Sequence, residues 1–267
     1  MLAVERHRLI QELLNEKGQI TTNELCQRLS ASPATIRNDL NKLSELHLLQ
    51  KTHGGAVSCF PSGKNASDPG LQPINTLSFK SRENVNSRQK EAISEAALSY
   101  IQDNQCILLD ASSTALALAR KLHRFNKLMV ITNGIYTMLT LKEVPNITVI
   151  LIGGIITKNS GSVEGVLGID LLNHLHIDQA FVSAYGFTPE EGLTDFNVYE
   201  VELKRAMMKS CKNVIALLDS SKFETTSAAS FIPTEEINTI LTDDGLDEEL
   251  LKKYQQQGIN IKISPTK

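Results

Sequence analysis

Between residues 106 and 263 the chain carries seven short apolar-rich runs, at 106–110, 128–132, 147–152, 180–183, 214–218, 237–241 and 259–263. Each is too short for an ordinary helix and too continuous for a strand with one face in water. Helical periodicity fills several of the gaps, at 114–123, 135–142, 199–209 and 247–257, and a further helix is expected at 87–102. Alternation of this kind packs as a parallel sheet with helices on its faces, so the expected class is α/β. It also says where to look for a ligand, because open parallel sheets bind beyond the carboxyl ends of their strands.

Those strand ends are polar. The first delivers Asp110, Ala111, Ser112, Ser113 and Thr114 just before a helix, where hydroxyls and unpaired first-turn amides can cradle an anion. A plain Ser/Thr helix cap is the competing explanation. Thr132 and Asn133 end the second run before Gly134, and Gly153-Gly154 ends the third, where a missing Cβ admits a ligand closely. Later loops bring Asp195 and Lys222, the latter a point charge for a phosphate or simply a solvated lysine. Thr242-Asp243-Asp244 suits a turn and helix start better than a sugar-hydroxyl acceptor.

Residues 1–57 follow another pattern. Val4, Leu9, Ile10, Leu13 and Leu14 recur at helical spacing up to Lys17-Gly18, a cation and a stop glycine. Thr21-x-x-Glu24 is a capping box opening a second helix, with Leu25 and Leu29 on one side. Ser32 is an N-cap and Pro33 fits the first helical position, starting a third helix with Ile36, Leu40 and Leu43 as its apolar stripe. Its other face shows Asn38, Asn41 and Lys42, flanked by Thr35 and Arg37. Taken alone this is an ordinary amphipathic helix; after a tight turn from a second helix it becomes the reading helix of a helix-turn-helix. The alternating stretch 48–57 with Gly54-Gly55 suits a wing, with Lys51 and His53 near DNA phosphates. Asp39 lies by the buried stripe and is expected to pair with Arg28.

At 267 residues two domains are the default, here 1–57 and 77–267, joined by a linker at 58–76 that is rich in Pro, Gly and Ser. Residues 79–88 are polar, without clear periodicity. Residues 1–57 carry a formal +1 and the rest −4, so DNA affinity must come from local placement and from duplication in an oligomer. Cys26, Cys59, Cys106 and Cys211 are scattered, which argues against a bound metal, and no cofactor is expected. No run approaches a membrane span and the first residues offer no signal-peptide core, so a cytoplasmic protein is expected.

Arg6, Ile10 and Leu14, then Ser32-x-x-Thr35-Ile36-Arg37-Asn38-Asp39-Leu40, then His53-Gly54-Gly55-Ala56 resemble, in order and spacing, the DNA-binding signature of the DeoR family of bacterial transcription regulators. The resemblance implies that Thr35, Arg37 and Asn38 lie in or beside the groove of double-stranded operator DNA. Residues 77–267 resemble that family's sensor domain, which is similar in fold to ribose-5-phosphate isomerase and glucosamine-6-phosphate deaminase. It implies a phosphorylated sugar as effector, Asp110 and Ser112–Ser113–Thr114 as the phosphate loop, and Thr132, Asn133, Gly153, Gly154, Asp195 and Lys222 as pocket lining. Many members carry Gly where this chain has Ser112. The expectation is a repressor of a carbohydrate operon, released by its effector and acting as a homodimer or homotetramer. The alternative is an active isomerase or deaminase with a DNA-binding appendage. Against it, loop 183–195 has no histidine, although Glu190, Glu191 and Asp195 are acids within it. A protein-interaction module that does not bind DNA is a third possibility.

Overall fold

In the computed structural model, the residues described are 6–7, 9–10, 13–14, 19–29, 31–45, 49–52, 54–57, 79–156 and 161–266. The expected linker and His53 lie outside them. The chain divides into two compact units, Met1–Gln72 and Pro73–Lys267.

In the first unit, all six described positions between 6 and 14 are helical. Helices Thr22–Leu29 and Pro33–Glu45 follow the short strand Gln19–Thr21. The N-terminal cap forms as the Thr21-x-x-Glu24 pattern expects, with the Glu24 amide donating to Thr21 Oγ1 at 3.2 Å. Ser32 caps the next helix by accepting from the Thr35 amide at 3.1 Å, a contact worth about 1 kcal/mol. Ile36, Leu40 and Leu43 bury as their spacing demands, against Ile10, Leu14, Leu25 and Leu29. Gln50–Thr52 and Gly55–Val57 make the wing hairpin, and Gln19–Thr21 adds to its far side as a third antiparallel strand. Gly55 must be glycine here: a Cβ would lie 2.1 Å from the Ile20 carbonyl oxygen.

The second unit is built on seven parallel strands, in the spatial order Ile261–Ser264, Thr239–Asp243, Cys211–Leu217, Ile177–Val182, Cys106–Leu109, Leu128–Thr132, Ile147–Leu151. Alternate side chains enter separate cores on the two faces. Ile107, Leu109, Ile215 and Leu217 point to one, Leu108, Val214 and Ala216 to the other. Burial on both faces is why these runs look continuously apolar in sequence. The order reverses between Cys106–Leu109 and Ile177–Val182, which creates a topological switch point, and beyond the carboxyl ends at such a point open sheets form their binding crevice.

Short pieces depart from the sequence expectation. Small antiparallel sheets (Ile155–Ile156 with Val163–Glu164, and Gly186–Thr188, Gly192–Asp195 and Ala229–Ile232 together) arise from stretches read as loops. The polar stretch around 79–88 holds a six-residue helix, Phe79–Asn84, and then the start of helix Ser87–Ala97. Among the described residues no helix is long and apolar enough to cross a membrane.

Candidate functional site

On the first unit, Arg37, Asn38, Asn41 and Lys42 are exposed along one side of helix Pro33–Glu45, with Thr35 half-buried and Ser32 exposed at its start. The Ser32 hydroxyl is engaged in the helix cap and with the Thr35 hydroxyl at 2.8 Å, so it shapes the entry of the helix. Lys51 projects from the wing and its ammonium donates to Asn41 Oδ1. Wing and reading helix therefore present one continuous polar surface of amides and cations.

Asp39 corrects one expectation. Its carboxylate takes Arg6 at 2.5 Å and His7 at 2.9 Å, while Arg28 pairs instead with Glu24, one turn earlier on its own helix. The reason is facing: Asp39 looks toward the amino-terminal helical residues, and Arg28 toward solvent. Burial pushes the Asp39 carboxyl up, but hydrogen bonds from Arg6 and His7 outweigh it and hold the group below the usual range.

In the second unit a buried charge cluster lies at the switch point. Asp110, fully buried at the end of Cys106–Leu109, accepts from the Ser112 amide at 3.1 Å and from the Ser183 amide at 3.0 Å. Ser183 follows the neighbouring strand Ile177–Val182, so one carboxylate ties together the two strand ends that flank the crevice. Lys204, from helix Val198–Lys209, enters the same spot with its ammonium 3.3 Å from Asp110, 2.8 Å from Asp195 and 3.7 Å from Glu200. It also donates to the Ser183 carbonyl at 3.1 Å and sits 4.9 Å from the centre of the Phe231 ring. Burial alone would lower Lys204; the carboxylates of Asp195, Asp110 and Glu200 overcome it and hold the amine above its ordinary value. Burial likewise raises Glu200, against the pull of Lys204.

Asp110 and Asp195 thus come together, yet as braces for the loop and for Lys204. Ser112 takes the N-cap, accepting from the Ala115 amide at 3.0 Å. The amides of Ser113 and Thr114 open the helix and so have no acceptor within it. Thr132 and Asn133 shape their own turn. Thr132 Oγ1 accepts from the Gly134 amide at 2.9 Å, and Asn133 Nδ2 donates to the Val163 carbonyl at 3.2 Å. Asn133 Oδ1 is buried and has no hydrogen-bond partner among the described residues. Gly154 answers to the protein itself, since a Cβ there would lie 2.5 Å from the Glu164 carbonyl oxygen, whereas Gly153 faces open space. Lys222 follows strand Cys211–Leu217; its ammonium lies 5.8 Å from the Tyr185 ring centre, and no acid among the described residues comes within salt-bridge distance. Burial lowers Lys222, and its remaining surroundings include Asp219, Asp195, Arg82 and Lys204.

Two charged residues of this region were not singled out from the sequence. Lys204 continues a buried stripe with Val201 and Met208, at i, i+3 and i+7, and a lysine on such a stripe is the signal that could have found it. Arg82 sits on a helix too short to show periodicity. Among the described residues no group of His, Cys, Asp and Glu could hold a metal ion.

Comparison with known proteins agrees with this layout. Residues 6–61 match the DeoR-like helix-turn-helix domain and residues 85–244 the DeoR C terminal sensor domain. The chain is 46% identical over 264 residues to the HTH-type transcriptional regulator GolR of Listeria innocua, spanning 99% of this chain and 100% of that protein. It is 34% identical to the L-fucose operon activator of Haemophilus influenzae, over 95% of this chain and 97% of that one. It is 28% identical to the glycerol-3-phosphate regulon repressor of Escherichia coli, over 91% and 92% respectively.

Proposed function

This chain belongs to the DeoR family of DNA-binding transcriptional regulators, and from that premise we propose that it represses a carbohydrate operon and leaves its operator when a phosphorylated sugar enters the switch-point crevice. It is a regulator and not an enzyme, as its relatives are named. The effector reading is supported by polar groups at the strand-end loops: helix-opening amides at Ser113 and Thr114 that have no acceptor within their own helix, and Lys222, a half-buried cation with no acid among the described residues within salt-bridge distance. That chemistry favours a phosphate monoester over a neutral sugar. The relative named for glycerol 3-phosphate supports the same class.

Operator contact falls to Thr35, Arg37, Asn38, Asn41 and Lys42, with Lys51 and His53 on phosphates. Arg37 and the two amides have the geometry for base edges, and the lysines for the backbone. A single winged helix of charge +1 binds weakly, so the working form is a homodimer or homotetramer that sets reading helices one or more DNA turns apart. The apolar surface around the Ile155–Ile156 hairpin, where Ile156 is 63% and Leu167 77% exposed, supports a contact between copies. Release is then a population shift: a ligand that prefers the DNA-incompetent arrangement lowers operator affinity by its preference, typically about 1–3 kcal/mol. Its place is the cytoplasm, where operator and sugar phosphates both are.

A thermal-shift panel of sugar phosphates beside the matching free sugars tests the reading. One phosphorylated member should raise the melting temperature and also release the protein from DNA of its own operon's control region. A panel in which free sugars act as well as their phosphates would overturn it.

A further inference from the structure

We infer that residues 79–86 are a strap across the switch-point crevice, and that Arg82, at its middle, is a direct ligand for the effector's phosphate group. The inference rests on the crevice being the anion site argued above.

The strap is fastened on both sides. At one end Phe79 stacks on Tyr136, with ring centres 4.5 Å apart and planes 20° from parallel, and Tyr136 belongs to the helix after strand Leu128–Thr132. Gly161 makes room for this stack, since a Cβ there would lie 2.5 Å from the Phe79 ring. At the other end Asn86 adopts the left-handed region, φ 51°, and its Nδ2 donates to Asp219 Oδ1 at 2.9 Å and to Ser221 Oγ at 3.3 Å. Asp219 and Ser221 follow strand Cys211–Leu217. Between Leu128–Thr132 and Cys211–Leu217 in the sheet lie only the two strands that border the switch point. Eight residues of chain therefore run from one bank of the crevice to the other. Glu83 pairs with Arg120, at the end of the helix after the first sheet strand, and the Lys90 ammonium donates to the carbonyls of Arg82 and Val85. A segment held at so many points sets the position of whatever side chain it carries inward.

Arg82 is that side chain. Its guanidinium is half-buried over the Phe79 ring, 5.5 Å from the ring centre, and no acid among the described residues is within salt-bridge distance. It is close enough to act electrostatically on Lys222, Lys90 and Glu200, three groups on three different elements. Arg82 and Lys222 are thus two cations close enough to repel each other, neither with an acid among the described residues within salt-bridge distance, while Asp219, Asp195 and Glu200 act on them from farther away. Such a pair is relieved by a shared anion, and a guanidinium fork with an ammonium is a matched receptor for the three oxygens and double charge of a phosphate monoester. Phe79 is also the first described residue after the 58–78 stretch joining the two units. The element that would grip the phosphate is therefore the one nearest, along the chain, to the winged helix.

The test uses the full-length protein and inorganic phosphate as probe, with chloride at equal ionic strength as reference. Melting temperature is read against phosphate concentration, and amide exchange is followed over residues 79–90. Wild type should show a saturable rise in melting temperature and slowed exchange in the strap. Arg82→Gln should bind phosphate roughly tenfold to a hundredfold more weakly, with Arg82→Lys between them, and neither should gain strap protection. Glu83→Gln, which loosens the strap but keeps the cation, controls for folding and should retain most of the affinity. If Arg82→Gln binds phosphate like wild type while Lys222→Gln does not, the strap inference falls and the site reading stands. If wild type answers neither phosphate nor any sugar phosphate, the site reading itself falls.

Discussion

Replacing Lys204 with methionine tests the buried charge cluster most directly. Methionine keeps an unbranched apolar stem and removes the ammonium, with its contact to the Phe231 ring. Asp110, Asp195 and Glu200 then face one another with no cation, and Asp110 keeps only its two amide donors. Removing one partner of a buried ion pair costs about 3–5 kcal/mol, because the survivor is left charged and unsolvated. In a unit of this size each kcal/mol moves the melting temperature by roughly 2–4 °C, so a loss on the order of 10 °C is expected. The assay is favourable, since the chain has five tyrosines, all beyond residue 99, and no tryptophan. Tyrosine emission therefore follows the second unit alone. The pH dependence separates charge from packing. Without Lys204 the folded-state carboxyl pKa values rise above their unfolded values, so stability is retained at low pH and lost as pH rises through the raised values. The deficit of Lys204→Met should shrink from pH 7 to pH 5. A pH-independent deficit, or one under about 1 kcal/mol, would refute the claim that Lys204 neutralises this cluster.

Other perturbations probe the remaining parts. Arg37→Ala should weaken specific operator binding by about 1–3 kcal/mol if it reads a base, and leave the phosphate-induced melting shift untouched; a mobility-shift titration with a scrambled control site checks this. Asp39→Asn should cost about 1–3 kcal/mol at neutral pH, read by amide exchange over 33–45. Because the folded Asp39 is held below its unfolded value, its contribution exists above about pH 4 and fades as pH falls further, so mutant and wild type should converge in acid. Burial pushes Lys90 down to about 8, with Asp219, Lys222, Arg82 and Glu83 around it. The unfolded chain therefore holds more protons between about pH 8 and the ordinary lysine value, and stability should rise with pH across that window; Lys90→Met should flatten the rise. Ile156→Asp with Leu167→Asp should shift the protein to a monomer in sedimentation, and an unchanged assembly would place the contact elsewhere.

What the sequence disclosed follows how locally each feature is determined. The Ser32 cap, the Ile36–Leu40–Leu43 stripe and the seven sheet strands are written within a few residues, and each appears where its pattern places it. The loop after strand Cys106–Leu109 was legible as a helix opening, yet the bracing bonds of Asp110 were not, because its partners Ser183 and Lys204 lie 73 and 94 positions away. Lys204 hid behind the habit of reading a helical lysine as solvated. Asp39 found Arg6 and His7 because docking of helices, and not spacing along them, decides such pairs. Arg82 was lost in a polar stretch whose six-residue helix has no room for periodicity. The hairpins at Ile155 and Gly186 are two or three residues per strand, shorter than any alternation could reveal.

The fastening of Asn86 to Asp219 carries a consequence for how the molecule comes into being. The two residues are 133 positions apart, and the amino-terminal one is made first. During synthesis the winged helix emerges whole while the strap still has nothing to fasten to, since the far bank of its crevice is the last third of the chain. A message cut short before residue 219 would thus yield a winged helix joined to a sensor unit that lacks the strap's far anchor and two strands of its sheet.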